Sequence, residues 1–434
     1  MRLAREGPAA APFSRRRVPC FSCPQEPAVF SSRTPRPHTG NRLTRAIAQL
    51  RAQGVDLIDL TESNPTLCGI RYDTEGIALA LAGAAAAPYE PDPQGLAAAR
   101  AEVARYYAER GMRVDPASLV LTSGTSEGYA HLFTLLAEPG DEVLVPTPGY
   151  PLLEVLTSIG GIGLIHYRQS YDDGAGWGVD IERLRGSVST RTRAIVVVSP
   201  NNPTGAFLKT RELEQMGAIC REHDLALIVD EVFSDYGVGS DPVRVTSAIG
   251  HVACLTFVLN GLSKVSGLPQ MKLAWIHVSG PSELRAEAVD RLAFVADAYL
   301  SVGTPVQRAV SKLLLERHSA QRQIQERVIA NDAALRTLLE GRAGCRVLRR
   351  EGGWYGVLRL PDHLVDEDVA IALLEQEHVI AHPGYFYDFP AGAAFLVLSL
   401  LPEEDTFRDG ILRMRNRLGS AEGPAGASAT STSG

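Results

Sequence analysis

One lysine of this sequence stands where its amine could act as a nucleophile. Lysine is scarce, because only four of the 434 residues are lysines while arginine supplies the other 39 of the 43 basic side chains. Lys264 follows the apolar run Leu255–Leu259, in the segment Asn-Gly-Leu-Ser-Lys, just past a predicted strand. Where arginine provides nearly all of the positive charge, a lysine at a strand end indicates amine chemistry rather than a simple cation.

Two further strand ends carry polar side chains that suit a ligand. Asp230 closes the apolar run that starts at Leu225. A carboxylate at the end of a buried strand needs a partner, and a cationic ring nitrogen is a suitable one. The segment Ala194–Gly205 joins a strand to Ser-Pro-Asn-Asn-Pro-Thr-Gly, which places the amide of Asn202 at the same edge. Taken alone, that segment is equally consistent with a plain Asn-Pro turn.

A turn of small residues could bind an anion. Thr122–Ser126 reads Thr-Ser-Gly-Thr-Ser directly before a predicted helix. The N–H groups at a helix N-terminus have no partner within the helix, so such a turn suits a phosphate group. The simpler alternative is an N-cap at Thr125 or Ser126.

Short apolar runs alternate with amphipathic segments of helical length, and this alternation must position the polar side chains. It predicts a mostly parallel α/β sheet over roughly residues 90–300, with chemistry at the carboxyl ends of its strands. Strands are predicted at Leu119–Thr122, Glu142–Pro146, Ile162–Tyr167, Ala194–Ser199, Ala226–Asp230, Leu255–Leu259 and Leu273–Val278. Helices are predicted at Ser126–Ala137, Pro151–Ile159, Thr210–His223 and Glu283–Ala298.

The rest of the chain predicts a second, smaller unit between two irregular ends. Pro305–Leu339 has the helical period of 3.6, and Cys345–Leu360 and Phe395–Leu400 have the character of strands in an α+β domain. Residues 1–40 are predicted to be a disordered basic extension, with an organelle transit peptide left open as an alternative. Residues 420–434 are rich in Gly, Ala, Ser and Thr and predict a disordered tail.

Composition excludes several classes of protein. The net charge is −7 although residues 1–40 hold seven arginines and two glutamates, so the remainder is acidic and does not support nucleic-acid binding. No apolar run is long enough to span a membrane. Six cysteines are too few for a disulfide framework, which favours a reducing compartment. No metal site is predicted, since the Cys20–Cys23 pair has no second pair at zinc-ribbon distance.

Taken together and in this order, the motifs resemble those of class I and II aminotransferases, which are pyridoxal-phosphate enzymes of fold type I. The resemblance covers residues 41–418. It implies a three-layer α-β-α large domain with a mostly parallel sheet, and a smaller α+β domain formed by the N-terminal arm and the C-terminal segment. The expected boundaries are 41–85 for the arm and the start of the small domain, 86–304 for the cofactor-binding large domain, and 305–419 for a linking helix and the C-terminal small domain.

The resemblance also implies roles for individual residues. Lys264 matches the lysine that forms the internal aldimine with pyridoxal 5'-phosphate, and Asp230 matches the aspartate that keeps the ring nitrogen protonated. Asn202 matches the asparagine that binds the ring O3′, and Tyr150 matches the aromatic residue stacked on the ring. Tyr89 resembles the tyrosine that reaches the neighbouring subunit's phosphate. The residues expected around the phosphate are Gly124, Thr125, Ser126 and Ser263.

Three positions depart from the family's pattern. Phe233 stands where a tyrosine usually donates to O3′, and a phenyl ring cannot donate; Tyr236 is the nearest tyrosine in sequence. Lys272 replaces the arginine that binds the phosphate, a point charge instead of a fork. Val397 stands where the family carries the arginine that clamps the substrate carboxylate. The groups left to bind that carboxylate are Asn202, the backbone near Asn64, His382 and Tyr385, with Arg71 and Arg359 as the next cations to consider.

The resemblance therefore implies a cytoplasmic, homodimeric aminotransferase that moves an amino group from an amino acid to a 2-oxo acid. The valine at position 397 favours an alternative on the same fold, namely a lyase, a decarboxylase or an amine transaminase. A non-catalytic sensor is a third hypothesis. It is disfavoured because residues 1–40 are too short and proline-rich to supply a helix-turn-helix.

Overall fold

The computed structural model describes residues 30–31, 33–34, 40–84 and 87–420. The predicted basic extension at 1–40 and the predicted tail at 420–434 fall almost entirely outside these residues. Among the described helices, none combines the length and the apolar character that crossing a bilayer requires.

Thirteen α-helices and fourteen strands make up the described part of the chain. The helices are α1 Arg42–Ala52, α2 Thr74–Ala84, α3 Ala97–Glu109, α4 Thr125–Leu136, α5 Leu152–Gly160, α6 Ile181–Gly186, α7 Thr210–Glu222, α8 Leu262–Val265, α9 Ser282–Asp297, α10 Thr304–Leu315, α11 Arg317–Leu339, α12 Asp366–Glu377 and α13 Glu404–Ser420. The strands are β1 Ile58–Asp59, β2 Leu119–Thr122, β3 Glu142–Thr147, β4 Gly163–Asp172, β5 Gly176–Val179, β6 Thr192–Val198, β7 Ala226–Asp230, β8 Thr256–Gly261, β9 Ala274–Ser279, β10 Arg346–Val347, β11 Tyr355–Arg359, β12 Val379–Ile380, β13 His382–Pro383 and β14 Phe395–Ser399.

The large sheet confirms the predicted α/β fold. Its eight strands lie in the order β2-β9-β8-β7-β6-β3-β4-β5, and the five from β8 to β4 run parallel to one another. The pairs β2–β9, β9–β8 and β4–β5 are antiparallel. All seven strands predicted for this region are present, because buried parallel strands are near-continuous apolar runs that the sequence displays directly.

Helices cover both faces of the large sheet. On one face, Phe133 and Leu292, from α4 and α9, pack against strand residues such as Ile228. On the other face, Met216 from α7 packs against residues such as Val197. This sandwich buries the strands, so only their ends are open to a ligand.

The C-terminal part forms a second, smaller sheet, whose antiparallel strands lie in the order β10-β11-β14-β13. The N-terminal arm joins this unit through β1, which pairs in parallel with β12. Helices α11, α12 and α13 contribute to the same apolar cluster as β11 and β14. The arm and the C-terminal segment therefore share one core, as the sequence predicts for the smaller domain.

Two predicted elements are divided in the structure. The helix predicted over Pro305–Leu339 is two helices that meet at Glu316, because α10 packs on α2 and α3 whereas α11 packs on α13. The strand predicted over Cys345–Leu360 is split into β10 and β11. Between them lie Gly352, where a side chain would meet Pro200 and Phe207 within 2.8 Å, and Gly353, which has φ +74°. Packing between distant segments causes both breaks, so the local sequence does not predict them.

Candidate active site

The carboxyl ends of three adjacent parallel strands bring the predicted catalytic side chains to one edge of the sheet. Asp230 is the last residue of β7, and its Cα lies in register with Val198 of β6 and with Leu259 of β8. Asn202 lies four residues past the end of β6, and Lys264 lies three residues past the end of β8. The fold thus gathers these side chains because neighbouring parallel strands end together.

Lys264 projects its amine into an aromatic, buried setting. Its Nζ lies 4.6 Å from the ring centroid of Trp354 and 5.4 Å from that of Phe233. Burial disfavours the charged ammonium and lowers the pKa of Lys264 to about 8, while the charge of Asp230 acts in the opposite direction. A substantial fraction of this amine is therefore neutral, and so nucleophilic, near physiological pH.

Asp230 is buried and supported by two donors. Its Oδ2 accepts a hydrogen bond from the Tyr129 hydroxyl at 3.1 Å, and its Oδ1 accepts one from the backbone N–H of Val232 at 3.1 Å. Burial raises the pKa of Asp230 to about 6, against the lowering effect of these donors and of Lys264. The neighbours of this carboxylate do not fully neutralise its negative charge, so it can pair with a protonated ring nitrogen.

The predicted phosphate turn opens a helix of three turns. Gly124 is the N-cap of α4, no side chain caps the first turn, and Thr125 and Ser126 are its first two residues. The Nζ of Lys272 lies 3.6 Å from where a Cβ on Gly124 would be, which brings a cation to the same turn. Free N–H groups, a helix dipole and a lysine together form an anion site. Ser263, beside Lys264, is half-buried.

Asn202 leaves one polar atom unsatisfied. The residue is 8% exposed, and its Oδ1 is buried with no hydrogen-bond partner. Its side chain and that of Ser63 lie beside the hydroxyl of Tyr355, and both favour the ionised form of that hydroxyl. Tyr150 lies beside this group with 51% of its surface exposed, so its ring is open to a ligand. An unsatisfied buried amide is costly without a ligand and points to one.

The short segment that carries Lys264 is held by side chains from three separate parts of the chain. The Tyr236 hydroxyl donates to the backbone carbonyl of Lys264 at 2.6 Å. Gln321 donates to the carbonyl of Val265 at 2.8 Å, and the Tyr72 hydroxyl donates to that of Gly267 at 2.7 Å. Tyr236 is thus engaged with the backbone, so it does not replace the donor that is missing at Phe233.

The residues considered as substitutes for the arginine clamp differ in setting. Val397 is 1% exposed and pairs across the sheet with Val357 and His382. The imidazole of His382 faces the Tyr387 hydroxyl at 3.2 Å, and burial lowers the pKa of His382. Tyr385 is 41% exposed and donates to Glu367, so it does not join the buried cluster.

Tyr89 lies at the surface, whereas Lys264 is buried. The tyrosine is 66% exposed and lines a surface groove together with Pro91, His131 and Leu300. Its predicted role depends on a second subunit.

Sequence reasoning missed three residues of the site. Tyr129, in the second turn of α4, donates a hydrogen bond to Asp230. In the sequence, an aromatic residue on the apolar face of a helix is interpreted as part of the hydrophobic core. Trp354 and Tyr355 follow Gly352 and Gly353 at the start of β11. For Trp354 and Tyr355, the only signal in the sequence is an aromatic pair directly after two glycines. That signal does not show which side chains the two rings will contact.

Comparison with known proteins decides the family. The family model for "Aminotransferase class I and II" matches residues 70–404. The chain belongs to this family. An alanine aminotransferase of Mycobacterium tuberculosis is 31% identical over 386 residues, covering 86% of this chain and 87% of the relative. An aspartate/prephenate aminotransferase of Thermus thermophilus is 30% identical over 385 residues, covering 86% and 94% of the two chains.

Solved structures agree with this assignment. A crystal structure of an aminotransferase from Escherichia coli superposes with a TM-score of 0.79 at 25% identity, covering 91% of this aminotransferase and 98% of that chain. The predicted fold type I architecture is therefore confirmed.

Membership settles the class of reaction. The protein is a pyridoxal-phosphate-dependent aminotransferase, a transferase whose substrates are amino acids and 2-oxo acids. The lyase, decarboxylase and amine-transaminase alternative that Val397 suggested is not favoured, because the matching relatives are aminotransferases.

The side chains present fit pyridoxal phosphate. The uncapped start of α4 with Lys272 suits its phosphate, the orphaned Oδ1 of Asn202 suits a polar ring substituent, and the buried carboxylate of Asp230 suits its ring nitrogen. Within the described residues, no group of three or more His, Cys, Asp or Glu side chains could hold a metal ion.

Proposed function

We propose that this aminotransferase works through Lys264 as its proton carrier, with Asp230 as the partner of the cofactor ring. The observation that carries the proposal is the pairing of a buried lysine amine, whose pKa is lowered to about 8, with a buried carboxylate at the adjacent strand end. Bound pyridoxal phosphate supplies an electron-accepting ring that stabilises the carbanion formed when a substrate Cα–H bond breaks. Lys264 Nζ would take the proton from the substrate Cα and give it to the carbon C4′ of the cofactor.

Asp230 and the start of α4 hold the ring in place from opposite ends. The carboxylate of Asp230 would accept a hydrogen bond from the protonated ring nitrogen and so keep the proton on that nitrogen, with the Tyr129 hydroxyl and the Val232 N–H fixing the carboxylate. Gly124, Thr125 and Ser126 offer backbone and hydroxyl donors to the phosphate, and Lys272 adds a charge. Ser263 stands beside Lys264 as a further hydroxyl donor to the same phosphate.

Three side chains surround the ring between these anchors. The Nδ2 group of Asn202 would donate to the ring oxygen, and the exposed ring of Tyr150 would stack on the cofactor. Phe233 packs edge-on against Trp354, with 5.2 Å between ring centroids, and contributes shape without a hydrogen bond. The ring oxygen therefore receives one donor fewer than a tyrosine at position 233 would give it.

Two half-reactions test the proposed activity. Adding alanine or aspartate, the donors named for two relatives, to the purified holoenzyme should change the cofactor's absorbance without a second substrate. A 2-oxo acid added afterwards should restore the original spectrum. Release of ammonia during the first step, with no restoration in the second, would instead identify a lyase.

We further propose that the enzyme is a cytoplasmic homodimer in which Tyr89 reaches the phosphate of the partner subunit. Exposed apolar side chains support an interface here: Tyr89 is 66% exposed, Leu300, in the same groove, is 43% exposed, and Tyr299, against His131, is 64% exposed. Large apolar side chains exposed close together mark an interaction surface. Cys68, Cys220 and Cys254 are free thiols, which is consistent with a reducing compartment.

Sedimentation and cofactor retention test the dimer. The holoenzyme should sediment as a dimer, and Tyr89→Phe should weaken cofactor retention about 10-fold by removing one hydrogen bond to a charged group. Tyr299→Phe is the matched control, because it keeps the exposed ring and has no proposed role at the phosphate. A fully active monomer would contradict both the dimer and the role of Tyr89.

A further inference from the structure

We propose that the substrate carboxylate is bound by uncharged donors centred on the Tyr355 hydroxyl, with Ser63 and Asn202 beside it. This inference rests on the proposed function, because it names the subsite through which that active centre holds its amino acid. It assigns a specificity-determining role to Tyr355.

Tyr355 stands close to the reacting amine. It is the first residue of β11, it is 8% exposed, and its ring centroid lies 6.2 Å from that of Phe233. The Phe233 centroid in turn lies 5.4 Å from Lys264 Nζ. A substrate whose Cα is within reach of Lys264 therefore has its carboxylate within reach of the Tyr355 side chain.

The side chains of Ser63 and Asn202 lie beside the Tyr355 hydroxyl, and both favour its ionised form. At neutral pH this hydroxyl carries an O–H that can donate to a ligand. That proton has to be given to an acceptor in the pocket, and a carboxylate is an acceptor without donors of its own.

The face of the small sheet behind Tyr355 carries no free cation near the site among the described strands. In this antiparallel sheet Val357 and Val397 lie on the same face as Tyr355, two residues along. Arg359 shares the face but lies at the far end of β11, about 13 Å away at the rise of a strand, and it is paired with Asp362 at 3.0 Å.

Of the remaining polar neighbours, Glu62 is a carboxylate whose charge acts on Tyr355, and its Oε1 accepts a hydrogen bond from the backbone N–H of Asn64 at 2.7 Å. Tyr150 and Tyr387 both lie near Tyr355, and burial raises the pKa of Tyr387. Burial lowers the pKa of His382, which faces Tyr387, although the charge of Asp59 acts in the opposite direction. The substrate carboxylate is thus met by hydroxyl and amide groups, which bind it more weakly than a guanidinium fork does.

Calorimetric titration of the holoenzyme with propanoate, a carboxylate without an amine, tests this subsite. Tyr355→Phe keeps the ring and removes one hydrogen bond to a charged group, so the dissociation constant for propanoate should rise about 10- to 100-fold. Ethylamine, which lacks the carboxylate, should bind both forms equally. Tyr385→Phe is the matched control, because that exposed hydroxyl contacts Glu367 instead of the site.

The outcomes separate this inference from the proposed function. Unchanged propanoate binding in a folded Tyr355→Phe protein, with amino transfer intact, would overturn the subsite and leave the function standing. Ser63→Ala provides a second variant and should weaken propanoate binding by a smaller factor. Absence of the two half-reactions in the unaltered enzyme would overturn the function itself.

Discussion

Replacing Lys264 with alanine is expected to reduce turnover by roughly 10³-fold or more, since general acid–base catalysis alone contributes about 10²- to 10⁴-fold. The cofactor should still bind, because the phosphate turn and Asp230 are unchanged. Borohydride treatment of the unaltered holoenzyme, followed by peptide mapping, should place the cofactor label on the Lys264 peptide. Label on Lys209 or Lys272 would contradict the assignment.

The pH dependence of this reaction follows from the buried amine. The pKa of Lys264 is lowered to about 8, so its neutral fraction grows as pH rises through that value. Attachment of the cofactor to cofactor-free protein should therefore accelerate between about pH 7 and pH 9 and level off above. Lys312→Ala is the matched control, because this lysine is paired with Asp73 and Glu316 away from the site.

Replacing Asp230 with asparagine is expected to slow the chemical step roughly 10²- to 10⁴-fold. Breaking a buried charge pair costs about 3–5 kcal/mol, and each 1.36 kcal/mol is tenfold in rate. Ser126→Ala should have a smaller effect, because it removes one of several phosphate donors. Single-turnover kinetics measures both, and equal losses would argue against the role of Asp230.

The same substitution should have the opposite effect on the stability of the cofactor-free protein. Burial raises the pKa of Asp230 from 3.8 to about 6, so ionisation of this carboxyl opposes folding. The penalty is absent below pH 3.8 and complete above pH 6. Asp230→Asn should therefore raise the free energy of unfolding at pH 7.5 and leave it unchanged near pH 3.5, as thermal denaturation would show.

Local pattern predicts most of the large sheet, and packing between distant segments explains what it does not predict. The buried strands β2 and β7 match their predicted bounds, because continuous apolar runs flanked by polar turns identify them. The break at Glu316 and the split between β10 and β11 depend on which distant helices and loops pack there. Such contacts have no local sequence pattern.

The same contrast holds for the site. Lys264 and Asp230 were identifiable because a charged side chain at a strand end is conspicuous. Tyr129, Trp354 and Tyr355 cannot be identified in this way, because an aromatic residue in an apolar segment is assigned to the hydrophobic core until its neighbours are known. The structure adds the partners: a carboxylate for Tyr129 and the lysine amine for Trp354.

The three hydrogen bonds to the segment that carries Lys264 have a consequence for how a proton travels. Tyr236, Gln321 and Tyr72 restrain the main chain around the lysine, so its Nζ moves only by rotation about four side-chain bonds. Such rotations occur in picoseconds to nanoseconds when they are not hindered. The length of the lysine side chain therefore sets the distance over which the amine can move. In the proposed reaction, the backbone need not rearrange between the step in which Lys264 accepts a proton and the step in which it returns the proton.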